Sequence, residues 1–270
     1  MHEPKRFHQR EPLGLGRPKA STIFRVAHYS RTLRHRILRG ARPVEEFSRN
    51  GEPPGLVWVQ QDVEEKGVSF SEAGSAELLL KRILDLVISC GLIIFILPLM
   101  VIVALAIKLD SSGPVIYRQE RVGLGGRCFV LLKFRSMRHD AESDGRPVWA
   151  MPGDHRITRV GRFIRLTRID ELPQLFNVLR GEMSMVGPRP ERPYFVEQLS
   201  KIIPAFVERH QVKPGITGWA QVNYPYGASI EDARNKLAFD LSYSGQRSLL
   251  MDLFILIATV RVVIFREGAR

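Results

Sequence analysis

RLTRIDELPQLFNVLRGEMSMVGPRP, Arg165 to Pro190, is the stretch around which the rest of the chain is arranged. It opens on the basic residues Arg165 and Arg168, followed by two adjacent carboxylates, Asp170 and Glu171. After Pro173, an apolar run through Leu175, Phe176, Val178 and Leu179 ends at Gly181. The spacing predicts a short helix with Asp170 as N-cap, its carboxylate accepting from otherwise unpaired N–H groups. Pro173 is tolerated in the first turn, where its missing donor costs nothing. The carboxylate pair would then sit at a helix N-terminus, an electropositive position that also suits a phosphate. Pro188 and Pro190 stiffen the loop on both sides of Arg189. Two acids ringed by arginines can handle phosphate: cations hold the anion, and a carboxylate attacks it or holds a metal. For Asp-Glu at a helix start alone, the plainer reading is a capped helix with a solvated charge cluster.

Just upstream, arginines recur at every third position from Arg156 through Arg159, Arg162 and Arg165 to Arg168. On a helix each such step drifts by about 60°. The arginines therefore spiral, some toward membrane headgroups, some toward the site, and two or three simply into solvent. Arg165, five residues before Asp170, is the one expected to contact phosphate. Val115–Gln119 and Arg127–Phe134 read as two strands around Gly123-Leu124-Gly125-Gly126, a hairpin signal. The glycine-rich turn lacks a following Lys-Ser/Thr and opens no helix, so it reads as a turn and not as a phosphate loop. Lys133 and Arg135 extend from the second strand toward any bound anion.

Leu86 to Ile107 is uncharged and mostly apolar, long enough to cross a bilayer core. Pro98 near its middle should kink it. Basic residues flank both ends, Lys81 and Arg82 before, Lys108, Arg118 and Arg121 after, which places both ends on the cytoplasmic side. A helix that enters, bends at Pro98 and returns satisfies both features, whereas a plain single span satisfies neither. Residues 1–75 form a separate zone, rich in arginine, proline and glycine and without apolar periodicity. It reads as a disordered basic extension, with Ser30–Arg42 as a candidate interfacial helix on anionic lipid. No apolar h-region lies near the N-terminus, so no secretory signal peptide is expected. The net charge of +12 points to an anionic partner: nucleic acid, a lipid surface or phosphorylated substrates. The two cysteines, Cys90 and Cys128, provide no disulfide framework and are expected as reduced thiols, facing the cytosol or buried. His139, His155 and His210 lack metal-ligand spacing. Ser248–Phe265 has apolar residues at helical spacing and reads equally well as a core helix or an interfacial one.

Asp170 to Pro190 resembles, almost letter for letter, the DELPQLxNVLxGxMSxVGPRP centre of the bacterial sugar transferases, the monotopic polyprenyl-phosphate glycosyl-1-phosphate transferases. KFRSM at Lys133–Met137, TRVGRFIR at Thr158–Arg165 and PGITGWAQVN at Pro214–Asn223 extend the resemblance over roughly Leu80 to Arg270. It implies transfer of a sugar-1-phosphate from a UDP-sugar to polyprenyl (undecaprenyl) phosphate, with release of UMP. Asp170 would be the nucleophile, passing through a covalent aspartyl intermediate. Glu171 would help hold Mg²⁺, with Asp170, or act in proton transfer, while Arg165 and Arg189 neutralise phosphate charge. The resemblance also implies a re-entrant helix-break-helix. Leu97-Pro98 stands where many relatives have Ser-Pro. Tyr-Pro-Tyr-Gly after Asn223 replaces the Gly-Arg of several relatives and looks like the exopolysaccharide-associated branch.

The expected fold is mainly α with a small β-hairpin (α+β), a monotopic membrane protein at the cytoplasmic face of the bacterial inner membrane. Its zones are 1–75 (basic extension), 76–112 (re-entrant helix) and 113–270 (cytoplasmic catalytic domain with interfacial helices). Membrane lipids are expected partners, with a homodimer allowed, and nucleic acid is not expected. Two rivals stand beside this reading. One is direct transfer in a ternary complex. The other is a non-catalytic, membrane-tethered basic binding protein, which leaves the Asp-Glu pair unexplained and lacks an aromatic stacking platform.

Overall fold

The computed structural model describes residues 74–141, 154–224 and 229–265. The basic extension, its candidate helix Ser30–Arg42, and Pro225-Tyr226-Gly227 lie outside them. Helix α1, Ser75–Asp110, has 36 residues, about 54 Å at 1.5 Å per residue. It is long and apolar enough to cross a membrane, and only 17% of its apolar window is buried against protein. Pro98 lies inside it, and residues on both of its sides are helical. The buried positions form two arms, Asp85 and Ser89 before the proline and Met100, Val103 and Ile107 after it. Ile94, Phe95 and Leu97 between them are exposed.

Strands β1 (Ile116–Val122) and β2 (Cys128–Phe134) pair antiparallel, with Ile116 opposite Phe134 and Val122 opposite Cys128. The hairpin expected from the sequence is thus formed, with its turn residues Gly125 and Gly126 at φ +63° and +77°. Helix α2, Arg159–Leu166, is capped by Thr158, whose Oγ1 accepts from Gly161 N at 2.9 Å. Helix α3, Gln174–Arg180, ends at Gly181 with φ +82°. Its Asn177 is fully buried: Oδ1 accepts from Leu132 N at 3.0 Å and Nδ2 donates to Val130 O at 2.8 Å. One amide side chain thereby satisfies an edge of β2 that would otherwise be buried unpaired.

A second sheet was not expected. Strands β3 (Ser184–Val186) and β4 (Gly215–Thr217) pair in parallel. Parallel strands need a long crossover, supplied by α4 (Pro193–Ile202) and a 3₁₀ run, Pro204–Gln211. Helices α5 (Trp219–Asn223), α6 (Ile230–Gln246) and α7 (Leu249–Phe265) complete the described residues. The core joins β2, α3, β3 and α7 through Leu131, Val178, Met183, Val186 and Ile255. The second arm of α1 packs on Phe134 and Ile164. The core reading of Ser248–Phe265 holds in part: Ile255 is wholly buried, while Leu250, Ile257 and Val260 form an exposed apolar face. Cys90 and Cys128 are free and exposed on the surface of the chain.

Candidate active site

Helix α2 stops at Leu166, and Arg168 adopts a left-handed conformation at φ 59°, the only positive φ at a non-glycine position among the described residues. That conformation costs about 1–2 kcal/mol in an ordinary L-residue. It turns the chain into a single 3₁₀ turn, Ile169–Glu171, which carries both carboxylates inward. The expected cap is therefore corrected. The N-cap of α3 is Pro173, with no side-chain capping bond, and Asp170 stands one turn earlier. Proline cannot donate and fixes its own φ, which moves the helix start past the acids.

Asp170 and Glu171 are each 8% exposed. Glu171 Oε1 meets three cations: Arg189 Nη2 at 2.6 Å, Lys133 Nζ at 3.3 Å and Arg168 Nη1 at 4.0 Å. Burial alone would raise the Glu171 carboxyl, but Arg189, Lys133 and Arg168 overcome it and hold it well below the usual range. Asp170 behaves oppositely. Among the described residues its carboxylate accepts no hydrogen bond. Burial and then the Glu171 charge push it up, to about 6, against Lys133, Arg165 and Arg189. Desolvation is the larger effect and outweighs the nearby cations. It still leaves the carboxylate mostly ionised at neutral pH.

Of the residues expected at the site, the structure gathers Asp170, Glu171, Lys133 and Arg189, with Arg165 near enough to bear on Asp170. The Arg165 side chain makes no hydrogen bond or ion pair among the described residues. Arg159 and Arg162 are exposed, as expected of two of the five arginines, whereas Arg156 pairs with Asp154. Arg135 does not join the site. It is buried, and its Nη2 donates to Ile107 O at 3.3 Å and Ser111 O at 2.7 Å. It lies just past the last paired residue of β2, where the free carbonyls ending α1 attract the guanidinium.

The loop carrying Arg189 is held carbonyl by carbonyl. Val186 O accepts from Lys81 Nζ and Tyr243 Oη, both at 3.2 Å. Pro188 O accepts from Gly215 N, Arg189 O from Arg209 Nη2 and Pro190 O from Arg121 Nη1, each at 2.9 Å. Lys81 also pairs with the buried Asp252 at 2.6 Å, and Asp85 Oδ1 accepts from Ser184 Oγ and Met185 N. Sequence reasoning missed these supports. Their one signal was an acid inside an apolar run, Asp85 or Asp252.

Among the described residues no three His, Cys, Asp or Glu side chains cluster to hold a metal. Magnesium, however, uses one or two carboxylates together with substrate phosphates. The Asp170 carboxylate, which accepts no hydrogen bond among the described residues, and the neighbouring Glu171 fit that requirement. A cavity of about 440 Å³ lined by Val122, Cys128, Val207 and His210 shares no residue with the carboxylates.

Residues 76–266 match the family described as bacterial sugar transferase. The chain is 47% identical over 191 residues to the UDP-N-acetylgalactosamine-undecaprenyl-phosphate N-acetylgalactosaminephosphotransferase of Aeromonas hydrophila, covering 71% of this chain and 45% of that protein. It is 45% identical over 191 residues to the UDP-glucose:undecaprenyl-phosphate glucose-1-phosphate transferase of Caulobacter vibrioides, covering 70% and 71% of the two. To the Escherichia coli K12 protein of the same description it is 45% identical over 184 residues, covering 67% and 39%. The chain thus spans less than half the length of two of these relatives and most of the third.

Proposed function

The chain belongs to the bacterial sugar transferase family, and from that premise we propose that it moves a sugar-1-phosphate from a UDP-sugar to undecaprenyl phosphate and releases UMP. The relatives' names support the substrate classes. The observation that carries the reading is the asymmetry of the acid pair: Glu171 is paired with three cations, while the Asp170 carboxylate beside it accepts no hydrogen bond among the described residues. The lipid-linked product would prime an exopolysaccharide or another surface glycan.

An Asp170 oxygen attacks the β-phosphorus of the donor. The new bond is P–O(Asp170), the bond to the bridging oxygen of the α-phosphate breaks, and UMP leaves with that electron pair. An oxygen of the lipid phosphate then attacks the same phosphorus, and the Asp170 carboxylate is regenerated. Arg189, Lys133 and Arg165 offset the anionic charge that would otherwise repel a carboxylate nucleophile. Mg²⁺, held by Asp170 and Glu171 with the substrate phosphates, would withdraw further charge from the diphosphate. Detergent-purified protein mixed with Mg²⁺, undecaprenyl phosphate and a panel of UDP-sugars should release UMP with one of them. Because the attacking group must be ionised, the rate should fall about tenfold per pH unit below about 6 and level off above it. Absence of UMP with every donor would refute the reading.

The membrane arrangement is proposed as monotopic on the cytoplasmic face, with α1 entering the bilayer and both of its ends outside. What supports it is that both ends are tied to one body. Arg82 donates to Val178 O and Leu179 O at 2.7 and 2.9 Å, and at the far end Val160 N donates to Asp110 Oδ2 at 3.1 Å. In a chain without Cys90 and Cys128, Leu80→Cys and Arg118→Cys should both resist a membrane-impermeant thiol reagent added from the periplasm. Labelling of either one would exclude this topology.

A further inference from the structure

We infer that Arg209, anchored by Asp240, is a positioning residue that fixes the main chain of Arg189 so that its guanidinium meets Glu171. The inference rests on reading Asp170 and Glu171 as the reaction centre. Arg209 lies in the 3₁₀ run Pro204–Gln211 and is 5% exposed. Its Nη2 pairs with Asp240 Oδ2 at 2.6 Å and donates to Arg189 O at 2.9 Å. Its Cζ stands 4.9 Å from the centre of the Phe206 ring. Asp240, on α6, is 2% exposed.

Two ordinary explanations of Arg209 fall short. A buried ion pair is weak as a stabilising device, because desolvating both charges offsets most of their attraction. A phosphate ligand would have to face the substrate, but the guanidinium faces a carboxylate, a ring and a main-chain carbonyl. That carbonyl belongs to the residue whose side chain makes the shortest contact to Glu171, 2.6 Å. Pro188 and Pro190 leave the loop few conformations of its own, so a bond at the Arg189 carbonyl sets where the side chain starts. Arg121 does the same one residue later, at Pro190 O. Displacements of about 1 Å in such an assembly can cost on the order of a hundredfold in rate.

The test separates the clamp from simple stability. Arg209→Lys keeps a cation for Asp240, but its ammonium ends short of the Nη2 position and cannot serve both acceptors. The expected kcat loss is about tenfold to a hundredfold, with the thermal midpoint of the full chain little changed. In an Arg189→Ala background, the same substitution should change kcat by less than about twofold, because the route runs through Arg189. If Arg209→Lys does not fold, the pair Arg209→Met with Asp240→Met removes both buried charges together, and the same cycle is run on it. A loss of equal size in both backgrounds, or none in the wild-type background, would overturn the inference. Hydrogen exchange supplies a readout independent of turnover: amides of residues 187–192 should exchange faster in Arg209→Lys, and those of 75–89 should not. Unchanged exchange at 187–192 also overturns it. Wild-type protein that releases no UMP would instead strike the transferase reading, while the exchange measurement still decides the clamp.

Discussion

Asp170→Asn is expected to release no UMP above background, a loss on the order of 10⁴-fold or more, the scale for removing a covalent nucleophile. Asparagine has the same shape but no charge with which to attack phosphorus. The fold should survive, because the Asp170 carboxylate accepts no hydrogen bond among the described residues and none is lost. Stability should even rise. A carboxyl whose pKa is raised by folding loses native-state stability as pH climbs through that value, here about 6. At neutral pH the wild-type protein carries that cost and the asparagine variant does not, so its thermal midpoint should equal or exceed the wild type's. Intact mass after mixing with UDP-sugar and Mg²⁺, without lipid, should show a sugar-phosphate adduct on the wild type and none on Asp170→Asn. Substantial turnover in the variant would mean direct transfer between donor and lipid in a ternary complex.

Gly215→Ala should cost on the order of 3–5 kcal/mol, the upper range for overpacking where neither side can yield. A Cβ at Gly215 would overlap Gly187 N and Thr217 O, one at Gly187 would overlap Lys213 O, and one at Gly218 would overlap Gly187 O. Every obstacle is backbone, so no rotamer change relieves it. The parallel pair β3–β4 can close only if these positions lack side chains, and the Arg189 loop leaves directly from that pair. With a total stability of about 5–15 kcal/mol, such a loss should leave little folded protein on heating to growth temperature. Gly91→Ala is the control: it lies in α1 with nothing within 4 Å of the added carbon. It should be neutral or stabilise by up to about 1 kcal/mol. A midpoint for Gly215→Ala within a few degrees of the wild type would show that the close approach has been overestimated.

The parts of this molecule that were legible in the sequence are those with a period or a crowded charge pattern. The β1–β2 hairpin was marked by two apolar runs around four residues rich in glycine. Asp170, Glu171 and Arg189 share one short stretch, and Lys133 follows its strand into the same place. Other features had no local signature. Strands of three residues, β3 and β4, are too short to display alternation, so their pairing was invisible. The left-handed turn at Arg168 is imposed by packing on a residue type that seldom adopts it. Arg135 sits at a readable distance from the acids along the strand, yet the end of α1, distant in sequence, captures it. Arg209 and Asp240 meet only because the crossover and α6 fold together, and neither residue stands out among its neighbours.

The bonds from Lys81 to Asp252 and to Val186 O bear on how the protein can be divided. The first turns of α1 contact the residue immediately before Gly187, three positions from Arg189. Excising the apolar helix to obtain a soluble catalytic fragment would leave Asp252 buried opposite no cation and strip Ser184 and Met185 of their acceptor, Asp85. The apolar helix is therefore an internal beam of the fold and not a detachable leash. Protein prepared for solution work must retain it and have its outer face covered by detergent or a nanodisc, or redesigned.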